Sequence, residues 1–436
     1  MRYKTQIAVL TALVLAVSMW FYVQRVLIPH QKAEAKPRGN LSDLYPRWLG
    51  ARELLLHHRD PYSAEVTHEI QIGYYGRPLD AGRSMDPKDQ QAFVYPVYVV
   101  FLLAPTIHWQ FAVVAECFRW LLIVLTGATV ILWLRALRWR VHPAVAAVII
   151  ILTLGSYAAV QGIKLQQLTL LVSGLIAACV ALVSTGHLLL AGILLALATV
   201  KPQLAAPLAG WLLLWSVSSW KSRQRLAWGF GVTLALLVGG GEIVLPGWIG
   251  RFQVALAAYR RYTGGSLVEL LAGRALSTVI TGLLLLALAA LCWKMRREPA
   301  ENEAFGFCLV VVLAVTVLII PMFAPYNQLL LLPGLLLALR YWKELGDGWP
   351  GRLVYATAAA VIGWQWLGSL ALMLASVILP ASALQPLWAL PLYTIAVIPF
   401  IVMGVLGLVA IGFQRRRNGE RGTAQPASLA LPGASR

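Results

Sequence analysis

The acidic residues of this chain are concentrated in one polar loop that runs from about Pro29 to Gln91. The loop holds nine of the 18 Asp and Glu residues of the sequence, and after it no aspartate occurs before Asp347. A carboxylate can take a proton from a hydroxyl group and so act as a general base. If the chain performs acid–base chemistry, this loop therefore supplies the group. Its acidic residues are Glu34, Asp43, Glu53, Asp60, Glu65, Glu69, Asp80, Asp86 and Asp89.

Asp43 lies at the start of a stretch whose apolar residues recur at helical spacing. The pattern predicts an amphipathic helix on the membrane surface, capped by Ser42 or Asn40 and ended by the Asp60-Pro61 dipeptide. Asp43 is then either the catalytic base or only a first-turn residue, whose negative charge is stabilised by the helix N-terminus. The spacing alone does not decide between these two roles. A second helix is predicted to start at Ser63. The apolar face of the first helix consists of Leu44, Trp48, Leu49, Ala51, Leu55 and Leu56.

Several polar side chains fall at the ends of apolar segments, where they would lie at membrane depth. Lys201 is the clearest case, because Pro202 breaks the sequence between two short apolar stretches. A lysine at such a break marks a functional site, although it could also extend its side chain to the membrane surface. We predict substrate-binding roles for Tyr45, Lys164, Gln167, Lys201, Gln203, Arg260, Arg261, Tyr326 and Asn327.

Together these groups suit a reaction on a lipid-linked phosphate. Lysine and arginine bind phosphate or diphosphate, and surrounding apolar helices can hold an isoprenoid tail. A carboxylate above the phosphate could deprotonate an acceptor hydroxyl while the cations stabilise the departing phosphate. In-line attack would invert the anomeric configuration.

The composition indicates an all-α integral membrane protein. The chain is 59% hydrophobic and only 12% charged, with a net charge of +18. The excess cations form short clusters between apolar segments, as cytoplasmic loops do, and no single basic patch suggests nucleic acid. We predict a bundle of about 12 transmembrane helices with both termini cytoplasmic. The spans lie near 6–28, 109–134, 143–160, 166–185, 187–200, 203–219, 226–245, 267–292, 304–320, 327–341, 352–378 and 386–413.

This topology divides the chain into five regions. Residues 1–28 form an uncleaved anchor, 29–92 an extracytoplasmic loop, and 109–413 the transmembrane bundle. The segment 93–107 is shorter than a typical transmembrane helix. If it crossed the membrane, the basic clusters after it would lie on the opposite side from that expected. We therefore predict a re-entrant or interfacial helix there. Residues 414–436 are predicted to be a disordered cytoplasmic tail. The four cysteines and the pair His57/His58 indicate neither a disulfide framework nor a metal site.

A set of ordered motifs resembles the bacterial polyprenol-phosphate-mannose-dependent glycosyltransferases of the GT-C superfamily. The resemblance covers most of the chain, from about residue 7 to residue 410. It rests on the order and spacing of five elements. These are Ser42-Asp43-Leu44 with Trp48 and Ala51, Arg59-Asp60-Pro61-Tyr62, Phe93 with Tyr95-Pro96, Gln167 with Thr169-Leu170, and Val200-Lys201-Pro202-Gln203.

The resemblance implies a GT-C-type bundle in a bacterial inner membrane, with an extracytoplasmic active site. It implies that Asp43 is the catalytic residue and that Lys201 lies near the phosphate of the sugar donor. The donor would be a polyprenyl-phosphate sugar, with mannose as the expected sugar. We predict that the acceptor is a glycolipid or glycan, and that the reaction uses neither a cofactor nor a divalent metal. The alternative is a transporter or flippase of a lipid-linked sugar. Two features of the sequence argue against it: the long loop with amphipathic helices, and the lack of two related halves.

Overall fold

A computed structural model describes residues 2–33, 42–80, 82–84, 86–261, 263–345 and 348–423. Every regular element in these ranges is helical. The α-helices are α1 (Arg2–Tyr22), α2 (Ile28–Ala33), α3 (Tyr45–His57), α4 (Ala64–Tyr75), α5 (Val99–Leu103), α6 (Phe111–Ala136), α7 (Pro143–Leu154), α8 (Tyr157–Lys164), α9 (Leu168–Ser184), α10 (Leu188–Ala198), α11 (Pro202–Val217), α12 (Trp220–Val244), α13 (Trp248–Arg260), α14 (Leu267–Met295), α15 (Glu303–Ile319), α16 (Leu332–Leu345), α17 (Trp349–Ala375), α18 (Ala381–Leu384) and α19 (Ile398–Thr423).

The long apolar helices make this a polytopic membrane protein. By length and composition, five helical segments in the described ranges can cross a membrane, and the bent pair α7–α8 could form a sixth span. The others predicted to span are shorter: α9 and α15, for example, have 17 residues each. At a rise of about 1.5 Å per residue such helices reach about 25 Å, slightly less than the hydrocarbon core. Twelve full spans therefore stay a prediction.

The two helices of the polar loop largely follow their apolar patterns. Leu44, Trp48 and Ala51, which belong to the face predicted for α3, are buried. The start of α3 differs from the prediction, because Leu44 rather than Ser42 is the N-cap and no side chain caps the helix; Asn40 lies outside the described residues. The helix also ends before Asp60-Pro61, since His58 adopts the left-handed conformation that closes its last turn.

Helix α4 begins as the sequence predicts. The Ser63 hydroxyl accepts a hydrogen bond from the backbone N–H of Val66 at 3.2 Å. Val66 and Ile70 are fully buried against the rest of the protein. The cap and the buried face together fix the direction in which α4 leaves the loop.

The segment that follows the loop, residues 93–107, contains only one short α-helix. Helix α5 has five residues, and a 3-10 turn over Ala104–Thr106 follows it. Five helical residues rise about 7.5 Å, which is far less than a bilayer crossing. Phe93, Val97, Val99 and Val100 are fully buried. Whether the segment enters the membrane as a re-entrant helix stays a prediction.

Close helix contacts bring the bundle together behind the loop. Helices α10 and α12 cross where Gly192 lies against the backbone of Leu226 and Gly229. A side chain at Gly192 would meet the backbone nitrogen of Phe230 at 2.6 Å. Small residues permit such close approach between membrane helices. This contact fixes the position of α10 against α12. The chain then passes from α10 directly to the break at Lys201.

Candidate active site

A central cavity of about 370 Å³ lies where the polar loop meets the ends of the bundle helices. The loop lines it with Asp43, Arg47 and Asp89, and the segment after the loop adds Tyr95. The bundle contributes side chains from the ends of its helices and from the breaks between them. These side chains include Gln167, Lys201, Gln203, Tyr259, Arg260, Tyr326 and Asn327.

Asp43 is held in place by partners from three segments. Its backbone N–H donates to the Leu165 carbonyl at 3.1 Å, and Gln167 Nε2 donates to its carboxylate Oδ2. The Tyr74 hydroxyl lies 3.5 Å from Oδ1. The Arg47 guanidinium donates to the backbone carbonyl of Asp43 itself. The carboxylate is thus fixed at one oxygen and only weakly engaged at the other.

The surroundings of Asp43 raise the pKa of its carboxyl group. Burial is the largest cause, because it disfavours the charged form, and the nearby Asp89 carboxylate raises the pKa further. The positive charges of Arg47 and Lys201 and the hydrogen bond from Gln167 act in the opposite direction. A raised pKa makes the carboxylate a stronger acceptor for a proton than an exposed aspartate would be.

Lys201 lies at the N-terminal end of α11, and its side chain is only 6% exposed. Its ammonium group donates to Thr169 Oγ1 at 2.5 Å and to Gln167 Oε1 at 3.5 Å. The ammonium also lies 5.2 Å from the centre of the Tyr326 ring. Buried charges are expensive unless they are paired, so a buried lysine that faces a cavity suits an anionic ligand.

Asn327 completes a polar chain behind Lys201. Thr169 Oγ1 lies 3.2 Å from Asn327 Oδ1, and both residues are almost completely buried. Because the Thr169 hydroxyl accepts from Lys201, it donates its own proton to Asn327. The chain fixes the direction of the lysine side chain and ties α9 and α11 to the 3-10 segment Pro325–Leu331.

Arg47 and Tyr95 also line the central cavity. The Arg47 guanidinium carbon lies 4.6 Å from the centre of the Tyr95 ring. The Tyr62 hydroxyl donates to the Tyr95 carbonyl at 2.5 Å, and the Tyr98 hydroxyl donates to the Thr199 carbonyl at 2.9 Å. These two bonds attach the segment after the loop to both the loop and the Lys201 break. The cavity therefore carries two cations, the buried Lys201 and the partly buried Arg47.

Helix α13 covers one side of the central cavity with Tyr259 and Arg260. An ion pair holds it to the polar loop: Arg251 Nη1 lies 2.5 Å from Asp60 Oδ2. Asp60 also accepts a hydrogen bond from the Tyr62 backbone at 2.9 Å, so the expected turn at Asp60-Pro61 is present. Asp60 therefore connects the loop to α13 and does not line the cavity.

The structure brings together most, but not all, of the predicted substrate-binding residues. Gln167, Lys201, Gln203, Arg260, Tyr326 and Asn327 line the central cavity with Asp43. Tyr45 does not line it, because its ring packs against Phe111 and Trp48. Arg261 caps the end of α13 outside the cavity, and Lys164 lines a separate cavity. Tyr45 and Arg261 therefore lie outside the central cavity, and their substrate-binding roles stay predictions.

Sequence reasoning missed Arg47 and Tyr74, and it named Asp89 only as one of the nine acidic residues of the loop. Arg47 lies four residues after Asp43, a spacing that places two side chains on one face of a helix, so this pair could have been recognised. Asp89 and Tyr74 had no such signal, because the fold alone brings them to Asp43. Among the described residues, no three His, Cys, Asp or Glu side chains form a group that could hold a metal ion. The expected independence from metal stays a prediction.

Comparison of the sequence with known protein families shows which family the chain belongs to. A family model described as glycosyltransferase family 87 matches residues 93–321, which is more than half of the chain. The chain belongs to glycosyltransferase family 87. This confirms the resemblance to GT-C glycosyltransferases that the motifs indicate. No curated protein sequence matches the chain.

The family 87 match covers much of the cavity but not the loop. Gln167, Lys201, Arg260 and the short segment with Tyr95 lie inside the matched range. Asp43 and Arg47 lie before it, so their place in the site rests on the contacts described above. The chain is therefore a membrane-embedded family 87 glycosyltransferase. Its candidate site combines residues inside the range that the family model matches with residues that precede that range.

Proposed function

We propose that this family 87 glycosyltransferase transfers a sugar from a polyprenyl-phosphate donor to a hydroxyl group of a glycolipid or glycan acceptor. One observation carries the proposal: in one cavity, Gln167 bonds to both the Asp43 carboxylate and the Lys201 ammonium. A base for the acceptor and a cation for the departing phosphate are what this reaction requires.

The reaction proceeds by displacement at the anomeric carbon. The acceptor oxygen attacks that carbon while its proton passes to the Asp43 carboxylate. The bond between the anomeric carbon and the phosphate oxygen breaks, and its electron pair stays on the phosphate. Lys201 and Arg260 stabilise the charge that develops there, because both line the cavity. Attack opposite the leaving group inverts the anomeric configuration.

Mannose is the proposed sugar because the motifs resemble those of polyprenol-phosphate-mannose-dependent enzymes. The apolar walls near Lys201 suit the start of an isoprenoid chain, since Phe252, Leu256 and Ile320 line the same cavity. The proposed location is a bacterial inner membrane with the site on the extracytoplasmic side. The basic clusters between helices support this orientation.

The test is to give purified protein a panel of radiolabelled polyprenyl-phosphate sugars together with a lipid extract as acceptor. The proposal expects label to pass from one donor into a new product, with the mannosyl donor preferred. Asp43→Asn should abolish product formation. If every donor is returned chemically unchanged, the protein is not a transferase for these substrates.

The alternative is a flippase for a lipid-linked sugar, which buried cations beside a helix break also permit. Proteoliposomes with labelled donor in one leaflet separate the two functions. A flippase moves intact donor to the other leaflet without an acceptor. A glycosyltransferase forms product only when acceptor is present, and Asp43→Asn stops product formation without changing donor orientation.

A further inference from the structure

A surface at the end of the bundle opposite the central cavity combines exposed cations with exposed tryptophans. Helix α11 gives its distance: the helix begins next to Lys201 and ends at Val217, and its 16 residues rise about 24 Å. We call this region the basic–aromatic surface. It consists of Trp220, Lys221, Arg225 and Trp228 in the first turns of α12, and of Trp293, Lys294 and Arg297 at the end of α14.

The side chain of Arg223 holds the two helix ends together. Its guanidinium group donates to the carbonyls of Arg296 at 3.1 Å, Arg297 at 3.2 Å and Glu298 at 3.1 Å. Carbonyls at the end of a helix lack partners within that helix, so the arginine satisfies them. The guanidinium carbon also lies 3.9 Å from the centre of the Trp215 ring, at the end of α11. The start of α12 and the end of α14 therefore lie side by side in a fixed arrangement.

The four cations of the basic–aromatic surface are exposed and are not neutralised by acidic side chains. Within the described part of the chain, none of them forms an ion pair. The acidic residues that follow α14 are engaged elsewhere: Glu298 with Asn302, Glu301 with Arg138, and Glu303 with Arg340. Unpaired cations at the edge of a membrane protein attract anionic lipid head groups.

The tryptophans place a lipid, rather than a free anion, at this surface. Lys221, Arg225 and Trp228 lie at i, i+4 and i+7, so they share one face of α12. The ring centres of Trp220 and Trp228 are 6.3 Å apart. These two rings are 43% and 57% exposed, and Trp293 on the neighbouring helix is 59% exposed. Tryptophan side chains at such positions lie at the level of the lipid head groups, beside the cations.

We infer that the basic–aromatic surface binds an anionic phospholipid with two phosphate groups, of which cardiolipin is the example. The cations are divided evenly between the helices: Lys221 and Arg225 belong to α12, and Lys294 and Arg297 to the end of α14. Each pair binds one phosphate, and the tryptophans contact the glycerol groups and the upper parts of the acyl chains. With the orientation proposed above, this lipid belongs to the cytoplasmic leaflet.

Another basic cluster at the same end of the bundle serves as an internal comparison. Arg135 and Arg140 are exposed at and after the end of α6. Arg138 lies between them and pairs with Glu301 at 3.6 Å, which places this cluster near the connection after α14. Trp139 is only partly exposed. The comparison cluster thus has exposed charge but lacks exposed tryptophans in the described structure.

Charge-removing double variants of the full-length protein test the inference. Lys221→Gln with Arg225→Gln removes the pair on α12, and Lys294→Gln with Arg297→Gln removes the pair at the end of α14. Binding of labelled cardiolipin to each purified protein is measured in detergent. Phosphatidylglycerol, which carries one phosphate, is compared at the same total phosphate concentration. Binding is the readout, so the result does not depend on the proposed sugar transfer.

Each of these two double variants should weaken cardiolipin binding by about tenfold or more, because each cation near a membrane surface contributes to anionic lipid binding. The matched control, Arg135→Gln with Arg140→Gln, removes the same charge and should bind cardiolipin like the wild type. Cardiolipin should raise the melting temperature of the wild type and of the control, but not that of the other two proteins. Without lipid all four proteins should melt alike, since only exposed side chains are changed. Phosphatidylglycerol should bind the wild type more weakly than cardiolipin.

Four results would overturn the inference. Unchanged cardiolipin binding in both variants of the basic–aromatic surface would show that the lipid does not bind there. An equal loss in the control would show that binding reflects overall charge. Equal binding of phosphatidylglycerol would show that two phosphates are not recognised together. Tighter binding of polyglutamate than of cardiolipin would assign the surface to an acidic protein segment.

Discussion

Gln167 donates a hydrogen bond from its side-chain amide to the carboxylate of Asp43, although 124 sequence positions separate them. The amide oxygen faces the Lys201 ammonium, which can only donate, so the orientation of the amide is determined by the lysine. Gln167 thereby links the proposed base to the proposed phosphate-binding cation. It is a positioning residue whose effect on Asp43 can be measured.

Asp43→Asn should abolish sugar transfer while the protein still folds and inserts. An amide cannot take the acceptor proton, and general-base catalysis contributes about 10²–10⁴-fold. Product formation by purified variant and wild type, at matched amounts of membrane-extracted protein, measures the effect. Asp89→Asn is the control, because Asp89 lines the same cavity but its carboxylate accepts hydrogen bonds from Gln91. Near-normal turnover by Asp43→Asn would refute the base assignment.

Activity should decline on acidification at a higher pH than an ordinary aspartate would cause, since the pKa of Asp43 is raised by burial. The base works only when deprotonated, so activity is present above this pKa and lost as the pH falls through it. Gln167→Leu removes a bond that lowers the pKa and should shift the acidic limb of kcat/KM to higher pH. Gln203→Leu, which changes another glutamine of the same cavity, should leave the acidic limb of kcat/KM unchanged. Identical acidic limbs in wild type and Gln167→Leu would contradict the positioning role.

Lys201→Ala should raise the KM for the sugar donor more than the KM for the acceptor. The ammonium group is buried and faces the central cavity, so its removal takes away a charge-assisted contact with phosphate. Steady-state kinetics with each substrate varied in turn provide the measurement. Equal losses for donor and acceptor would mean that Lys201 does not contact the donor phosphate.

The ion pair between Arg251 and Asp60 should position helix α13 over the cavity. Both groups are partly exposed, so the pair is worth no more than about 1 kcal/mol, and Arg251→Asp should raise the donor KM only about twofold to fivefold. The double variant Arg251→Asp with Asp60→Arg restores the pair in reverse. Its donor KM should return towards that of the wild type. No recovery in the double variant would exclude a positioning role for the pair.

Gly192→Val should destabilise the bundle, because a side chain there collides with the backbone of α12. Overpacking of this kind costs about 1–3 kcal/mol, more where the backbone cannot yield. Gly231→Val is the matched control, since within the described chain no heavy atom lies within 4 Å of a Cβ at that position. Thermal unfolding in detergent compares the two. Equal melting temperatures would show that α10 and α12 are not in close contact.

The sequence determined the membrane class and the helix pattern, and it indicated Asp43 and Lys201 as candidate site residues. Apolar periodicity and Pro202 carry this information locally, because a helix face or a break depends on residues near one another in the chain. The start of α4 at Ser63 was predictable for the same reason. The number of spans was not, since several apolar segments are shorter than a bilayer is thick.

Only the tertiary structure decided which polar groups share a cavity. Tyr74, Asp89 and Gln167 come to Asp43 from distant parts of the chain, and nothing in their own surroundings predicts that meeting. The fold also separated Lys164 from Lys201, although both lysines end apolar segments. A side chain's direction depends on how its helix packs, and packing joins residues that sequence spacing does not relate.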